Sequence, residues 1–486
     1  MSLSVFLLWL ISIPLSAYSF YAPKEFLLNC GSSEEIARGT LKYVPDDDFI
    51  SVGNKSAINN PDLMPILSTL RYFPDSKARK YCFLFPTIKG GKYLVRTVYY
   101  YGGFDGGKEP PVFDQIVQGT KWSIVNTTED YANGMSTYYE IIVVSAAKTL
   151  SVCLARNKDT SSSPFISALE LQHLEPSSYN LTDFSKYALL TVARNCFGRD
   201  EETIGFPDDQ FDRLWQPFMD QNPVAESHSN VTSSDFWNFP PQKIFNKAVT
   251  TSRGKTLKIE WPSGNLPNTL YCIALYFQDN RTPSPYSWRV FSVSINGQNF
   301  YKDLNVTTDG VTVYASAWAL SGQTEISLIP AENAPVGPVI NAGEIYQILK
   351  LGGRTVTRDV MAMLDLAEHL HNPPSDWIGD PCLPPENSWT GVACSKDGKA
   401  RVVSLNLTNM GISGSLPSSI GNLTALTHLH LDNNKLEGSI PQSLGQLGSI
   451  KEIFLQNNNL SGKIPQSLQN KNGLNIQVSP GNHLSS

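Results

Sequence analysis

Three successive copies of a 24-residue unit close the chain, beginning at Val402, Leu426 and Ile450. Apolar residues recur at unit positions one, four and six: Val402, Leu405 and Leu407; Leu426, Leu429 and Leu431; Ile450, Ile453 and Leu455. Asn434 and Asn458 hold position nine. Gly414, Gly438 and Gly462 hold position thirteen, and Pro417, Pro441 and Pro465 hold position sixteen. One such unit cannot bury its own apolar side. The copies must stack into a solenoid, each adding a short strand to one concave face. Residues between the buried apolar positions of a strand point outward. Here they are Thr427, His428, His430 and Asp432, then Lys451, Glu452, Phe454 and Gln456. This strip is the expected protein-binding face, with Phe454 as its exposed anchor. His428 and His430 lack a third ligand at comparable spacing, so no metal and no cofactor are expected. Leu474, Asn482 and Leu484 mark the start of a fourth unit. An uncapped solenoid end associates or frays, so self-association there, or disorder beyond about Asn470, is expected.

The repeat spacing resembles the leucine-rich repeat, and its G-x-[IL]-P ending resembles the plant type found in extracellular receptors. Export is legible elsewhere too. Residues 1–19 read as a secretory signal, with an apolar run from Val5 to Pro14 and small residues Ala17 and Ser19 before Phe20. No Lys or Arg precedes that run, which departs from the usual pattern. Asn-x-Ser/Thr acceptors occur at Asn54, Asn126, Asn180, Asn230, Asn280, Asn305, Asn406, Asn422 and Asn459. A glycan on Asn406, at an outward position of the first unit, would crowd that end of the face. No later run has the ~18 consecutive apolar residues of a membrane helix, so the chain reads as secreted or as a piece of something longer. A formal charge of −6, with 17% charged residues, argues against a nucleic-acid surface.

From Phe20 to Lys350 short apolar-alternating runs are separated by Gly, Pro, Asn and Asp clusters, as in an antiparallel β-sandwich. This region also repeats once. Asn29-Cys30-Gly31 is echoed by Asn195-Cys196-Phe197-Gly198, and Pro164-Phe-Ile-Ser-Ala-Leu-Glu170 by Pro338-Val-Ile-Asn-Ala-Gly-Glu344. Val98-Tyr99-Tyr100 matches Leu275-Tyr276-Phe277, and Val112-Phe113 through Gly119 matches Val290-Phe291 through Gly297. The order and spacing of these motifs resemble the malectin-like domains of plant cell-surface receptors, here in tandem. The expected fold is mainly β: signal peptide 1–19, malectin-like units 20–176 and 177–350, linker and cap 351–400, and repeats 401–486.

The resemblance raises sugar binding, in which aromatic faces meet the C–H patches of a ring. The aromatics it points to are Tyr99, Tyr100, Tyr276 and Phe277, with Tyr101, Phe104 and Asp105 as a rim. At least one member of each pair is expected in the core, because successive strand residues face opposite sides. Asp46, Asp47 and Asp48 read as a solvated acidic turn rather than a calcium site.

Thr357 to His371 is an amphipathic helix with Val360, Met363, Leu364, Ala367 and Leu370 on one face. Asp359 sits in its first turn, where the helix dipole favours it. Cys382 and Cys394 flank Trp389 closely in sequence and are expected to pair. That leaves Cys30, Cys82, Cys153, Cys196 and Cys272 without an assigned partner, at least one of them unpaired within the chain. Helix, Trp and cystine resemble the N-terminal cap of plant leucine-rich repeats. Gly379-Asp380-Pro381-Cys382 resembles the GDPC motif of symbiosis-receptor-kinase-like proteins, where it also lies between malectin-like and repeat regions. No nucleophile elbow, phosphate loop or zinc-protease helix is present. The combined expectation is a non-catalytic plant cell-surface receptor-like protein. It would recognise an extracellular peptide, glycan or co-receptor, with a membrane receptor as a further partner. The alternatives are a soluble glycan-binding protein of the cell wall and the truncated ectodomain of a membrane receptor kinase.

Overall fold

The computed structural model describes residues 25–106, 109–226, 228–279, 281, 286–396 and 398–485. The signal at 1–19 and the acceptor Asn280 lie outside the described residues.

Each copy of the duplicated region builds two sheets around a shared core. In the first, Glu25–Asn29, Ala168–Leu174, Lys92–Tyr99 and Thr137–Val144 lie side by side. They pack on Tyr81–Pro86, Thr149–Arg156, Phe113–Val117 and Thr120–Val125 through Phe83, Val95, Phe113 and Val152. In the second, Tyr187–Phe197, Ala342–Lys350, Leu266–Phe277 and Val311–Gly322 are hydrogen-bonded in that order. The facing sheet contributes Ile259, Phe291 and Leu328 to the core with Trp261.

The two copies are fused. Thr137–Val144 pairs antiparallel with Tyr187–Phe197 at Ile141 opposite Leu190 and Ile142 opposite Leu189, which makes one eleven-stranded sheet. Behind this seam lies a buried ionic cluster. Arg96 of the first copy binds Glu140 at 2.8 Å, Glu170, and Asp212 of the second copy at 3.3 Å. Arg194 of the second copy binds Glu140 at 2.8 Å and Glu344 at 2.9 Å. Arg213 binds Asp209 at 2.9 Å. Isolated charges at such depth would be prohibitive; each is tolerated here because it is paired and hydrogen-bonded. The acidic turn differs from expectation at one residue. Asp46 is fully buried, accepting from Arg71 Nε at 2.6 Å, Arg71 Nη2 at 2.8 Å and the Gly31 amide at 3.1 Å. Only its neighbours keep to the surface.

Cys82 and Cys153 face each other across adjacent strands and are bonded, as are Cys382 and Cys394. Cys30, Cys196 and Cys272 are free and buried, where burial pushes each thiol up. They behave as small apolar side chains.

In the solenoid, Leu405, Leu429, Ile453 and Ile476 stand in register on parallel strands. Asn434 and Asn458 lie inside the turns; Asn458 Nδ2 donates to Leu431 O at 2.9 Å and Leu455 O at 3.0 Å. Asn482 repeats this with Leu455 O at 2.8 Å and Val478 O at 2.9 Å. The chain past Asn470 therefore forms a fourth turn, with strands Asn475–Gln477 and His483–Ser485, rather than a disordered end. A second parallel sheet, Ser413–Ser415, Lys435–Gly438, Asn459–Lys463 and His483–Ser485, closes the other side.

Helix Thr357–His369 covers the first turn, but with a rotated face. Asp359, Ala362, Met363 and Leu366 are buried, whereas Leu364 is exposed. Asp359 turns inward because its carboxylate accepts from Arg401 Nε and the Val402 amide, both at 3.0 Å. Trp377 and Trp389 stack beneath it at 5.3 Å.

Candidate functional site

The aromatic pairs do not form a sugar platform. Tyr99, Tyr101, Tyr276 and Phe277 are all buried, with at most 1% exposure, so none presents a ring face to a ligand. At least one member of each pair lies in the core as expected, and in the second pair both do, because the large sheet is covered on both sides. Phe277 points into the inter-sheet core, and Tyr276 packs with Trp215, Phe236 and Phe245 from the segment laid over the other face. The Tyr276 hydroxyl donates to Glu344 at 2.7 Å, and the Tyr99 hydroxyl donates to Gln115 at 2.9 Å. In the first copy Tyr101 donates to Asp105 at 2.5 Å, and half-buried Phe104 packs edge-on against Tyr101. These rings face one another instead of solvent. Tyr100 is half-buried.

A concave polar site does exist beside the second pair. A cavity of about 90 Å³ is lined by Phe245, Lys247, Gln278, Asp279, Arg289 and Asn341. Gln278 follows Phe277 directly and is 3% exposed. Its Nε2 donates to Thr308 O at 2.6 Å, but its buried Oε1 has no hydrogen-bond partner among the described residues. Arg289 Nε donates to Asp279 at 2.9 Å. The polar Gln278-Asp279 step after an aromatic pair was the one available sequence signal for this site.

The solenoid strip is laid out nearly as its spacing requires. His428 and Glu452 share one lateral row, and Asn406, His430, Phe454 and Gln477 share the next. The His430 and Phe454 rings stack at 4.4 Å with planes 13° apart. His430 Nε2 lies 3.0 Å from Glu452 Oε2, and His428 Nδ1 lies 2.8 Å from Thr427 Oγ1. Lys451 is exposed and Gln456 half-buried. Asp432 is the exception: it is buried and accepts from Thr408 Oγ1 at 2.8 Å. It braces the turn and contributes little surface. Among the described residues no group of three His, Cys, Asp or Glu side chains is placed to hold a metal ion.

The eight acceptor asparagines within the described residues are all exposed, as glycosylation requires. Among the described residues no helix is long and apolar enough to cross a membrane.

Residues 28–348 match the family model of the malectin-like domain, and 401–423, 425–447 and 449–471 match the leucine-rich repeat. A probable leucine-rich-repeat receptor-like protein kinase of Arabidopsis thaliana is 31% identical over 401 residues, covering 80% of this chain and 44% of that protein. The probable receptor-like serine/threonine-protein kinase PAM74 of the same plant is 30% identical over 448 residues, covering 87% and 49%. The chain thus spans about half the length of these relatives. By fold, the ANX2 ectodomain of Arabidopsis thaliana matches with a TM-score of 0.56 at 17% identity, covering 67% of this chain and 96% of that one. The plant receptor FER, solved in complex with the peptide RALF23 and LLG2, matches with a TM-score of 0.54 at 16% identity, covering 67% and 96%. With residues 28–348 of its 486 matched in one span, the chain belongs to the malectin-like domain family and carries leucine-rich repeats behind that domain.

Proposed function

We propose that this chain is the recognition part of a plant cell-surface receptor, that it binds a secreted peptide or a co-receptor, and that it catalyses no reaction itself. The observation that carries the reading is the His430–Phe454 stack on the concave sheet, half-exposed and braced by Glu452. A rigid aromatic surface rimmed by polar groups is how binding hot spots are built. One neighbour by fold is recorded with a peptide and a second protein, which sets the ligand classes to try first. Half-exposed Leu474, Ile476, Val478 and Leu484 on the last turn keep self-association within the proposal; light scattering of the glycosylated protein checks it.

A second reading, glycan binding, has one observation in its favour: the cavity beside Phe277 is lined by the polar side chains of Gln278, Asp279, Arg289 and Asn341, the groups that meet sugar hydroxyls. Parallel screens of the full chain on a panel of secreted plant peptides, RALF23 among them, and on an oligosaccharide array separate the two. Peptide binding lost in Phe454→Ala and retained in Gln278→Ala supports the first reading. Array binding with the opposite sensitivity replaces it with the second.

A further inference from the structure

The solenoid follows the second malectin-like copy in sequence, yet its cap lies on the first. The chain leaves strand Ala342–Lys350 and passes the first copy at once, with the Gly352 amide donating to Thr120 Oγ1 at 2.9 Å. The segment ahead of Cys382 then rests on the outer face of the first copy's four-stranded sheet. Ile378 packs on Cys82, Ile116, Cys153 and Ala155, so the Cys82–Cys153 bond forms the floor of its seat. Gly379 comes so close that a Cβ there would stand 3.3 Å from Ser151 Oγ and 3.4 Å from Cys82 Sγ, and its φ is +77°. Both facts favour glycine.

Polar groups complete the contact from both sides. Lys80, 1% exposed, donates from Nζ to the carbonyls of Asp380 at 2.5 Å and Leu383 at 3.0 Å. The Arg79 amide donates to Asp376 at 3.0 Å, Arg79 Nη1 to Ser388 Oγ at 3.0 Å, and Asn387 Nδ2 to Arg79 O at 3.0 Å. The Asp380 carboxylate ties the linker to the turn of the motif, on the cap side of the joint. It accepts from the amides of Thr355 at 3.0 Å, Cys382 at 2.9 Å and Leu383 at 3.0 Å, and from the Thr355 hydroxyl. Buried groups satisfied across two elements hold those elements in one arrangement, because separation would expose or orphan each of them.

We propose that Gly379-Asp380-Pro381-Cys382 is a latch that docks the solenoid on the first malectin-like copy and thereby fixes the direction of the concave face relative to the fused sheet. Its occupant is the cap of the same chain, and its socket is Lys80 together with the Cys82–Cys153 face. The motif therefore does more than turn the chain into the cystine of the cap. The latch stands whether the ligand is a peptide, a protein or a glycan.

The test uses the full secreted protein with small-angle X-ray scattering and hydrogen exchange, on the wild type and on Ile378→Asp and Lys80→Ala. Each wild-type copy should be compact, with slow exchange over residues 80–86 and 376–390, whether or not copies associate through the last solenoid turn. Each variant should enlarge the maximum dimension and speed exchange in both stretches by at least about tenfold, as local opening does. The Cys382–Cys394 bond and the strands of the second copy should stay as in the wild type. Should Ile378→Asp fail to be secreted, Lys80→Ala, which leaves Ile378 and its contacts with Cys82, Ile116, Cys153 and Ala155 in place, decides alone. Unchanged exchange in the variants, or a wild type whose scattering already requires a freely moving solenoid, overturns the latch. A wild-type dimer whose caps exchange between copies overturns its intramolecular form.

Discussion

At the scale of single residues, Tyr276 shows how an inviting ligand residue becomes a structural one. Its ring fills the space under the segment from Ile204 to Phe245, and its hydroxyl serves Glu344. Tyr276→Ala should therefore cost about 3–5 kcal/mol through the cavity it leaves. Tyr276→Phe, which only deprives the carboxylate of a donor, should cost about 1–3 kcal/mol. Thermal melts of the two variants check the order. Lys80 offers a signed pH effect. Burial pulls its ammonium down to about 8, against the attraction of Asp380 and Asp376. Between that value and about 10.4, its ordinary value, the unfolded chain holds a proton that the folded chain lacks. Stability contributed by this group must then rise with pH across that window. The wild type should gain on Lys80→Met between pH 8 and 10 in chemical-denaturation curves. A constant difference would show that Lys80 is not desolvated. The aromatic pairs were legible as motifs, and their strand placement followed. Which faces were covered was not legible, because the covering segment around Trp215 and Phe236 has no periodicity that announces where it lies.

At the scale of elements, the solenoid was nearly complete in the sequence, since buried position and spacing are the same information there. The asparagine ladder shows why position nine is fixed: the buried amide satisfies carbonyls of two successive turns that no strand partner reaches. Asn458→Ala should orphan the Leu436 amide, which donates to Asn458 Oδ1 at 2.9 Å, and leave the Leu431 and Leu455 carbonyls with one donor each, Asn434 Nδ2 at 3.0 Å and Asn482 Nδ2 at 2.8 Å. A loss of about 1–3 kcal/mol is expected, read as faster hydrogen exchange in the third and fourth turns with the malectin-like sheet unaffected. The cap helix was legible as a helix but not in its facing. Its apolar stripe favours Val360 and Leu364, whereas the protein buries a charged residue, Asp359, to hold Arg401 and the Val402 amide. Leu366→Ala should accordingly cost about 2–5 kcal/mol, while Leu364→Gln should leave the melting temperature nearly unchanged.

At the scale of the whole molecule, two joints make one body of three sequence regions: the Gly379-Asp380-Pro381-Cys382 joint is legible as a motif but not in what it meets, and the seam between the copies has no sequence signature. The seam between the malectin-like copies is an ordinary strand pairing, and its charges look like any surface Arg or Glu until they meet. Three guanidinium groups, Arg96, Arg194 and Arg213, face five carboxyls, Glu140, Glu170, Glu344, Asp209 and Asp212. The surplus is eased at Glu170, which burial raises above its ordinary value, with Asp212 adding to the rise against Arg96. Burial opposes ionisation of Glu140 too, but Arg194 and Arg96 together hold it below the usual range. A carboxyl depressed in this way stabilises the fold above its unfolded pKa and loses that contribution as pH falls through the folded value. Arg96→Met should cost about 3–5 kcal/mol, since it strands buried carboxylates. Asp212→Asn should cost less, because it removes the charge that crowds Glu170.

We propose that recognition happens on the concave face of the solenoid, held against the malectin-like sheet. Hydrogen exchange of the full chain, with and without a peptide or co-receptor enriched on the wild type, tests it most directly. Protection on binding should centre on His428–His430 and Glu452–Phe454. Protection confined to the strand ends around Gln278 and Asn341, with the solenoid strands unchanged, would contradict it.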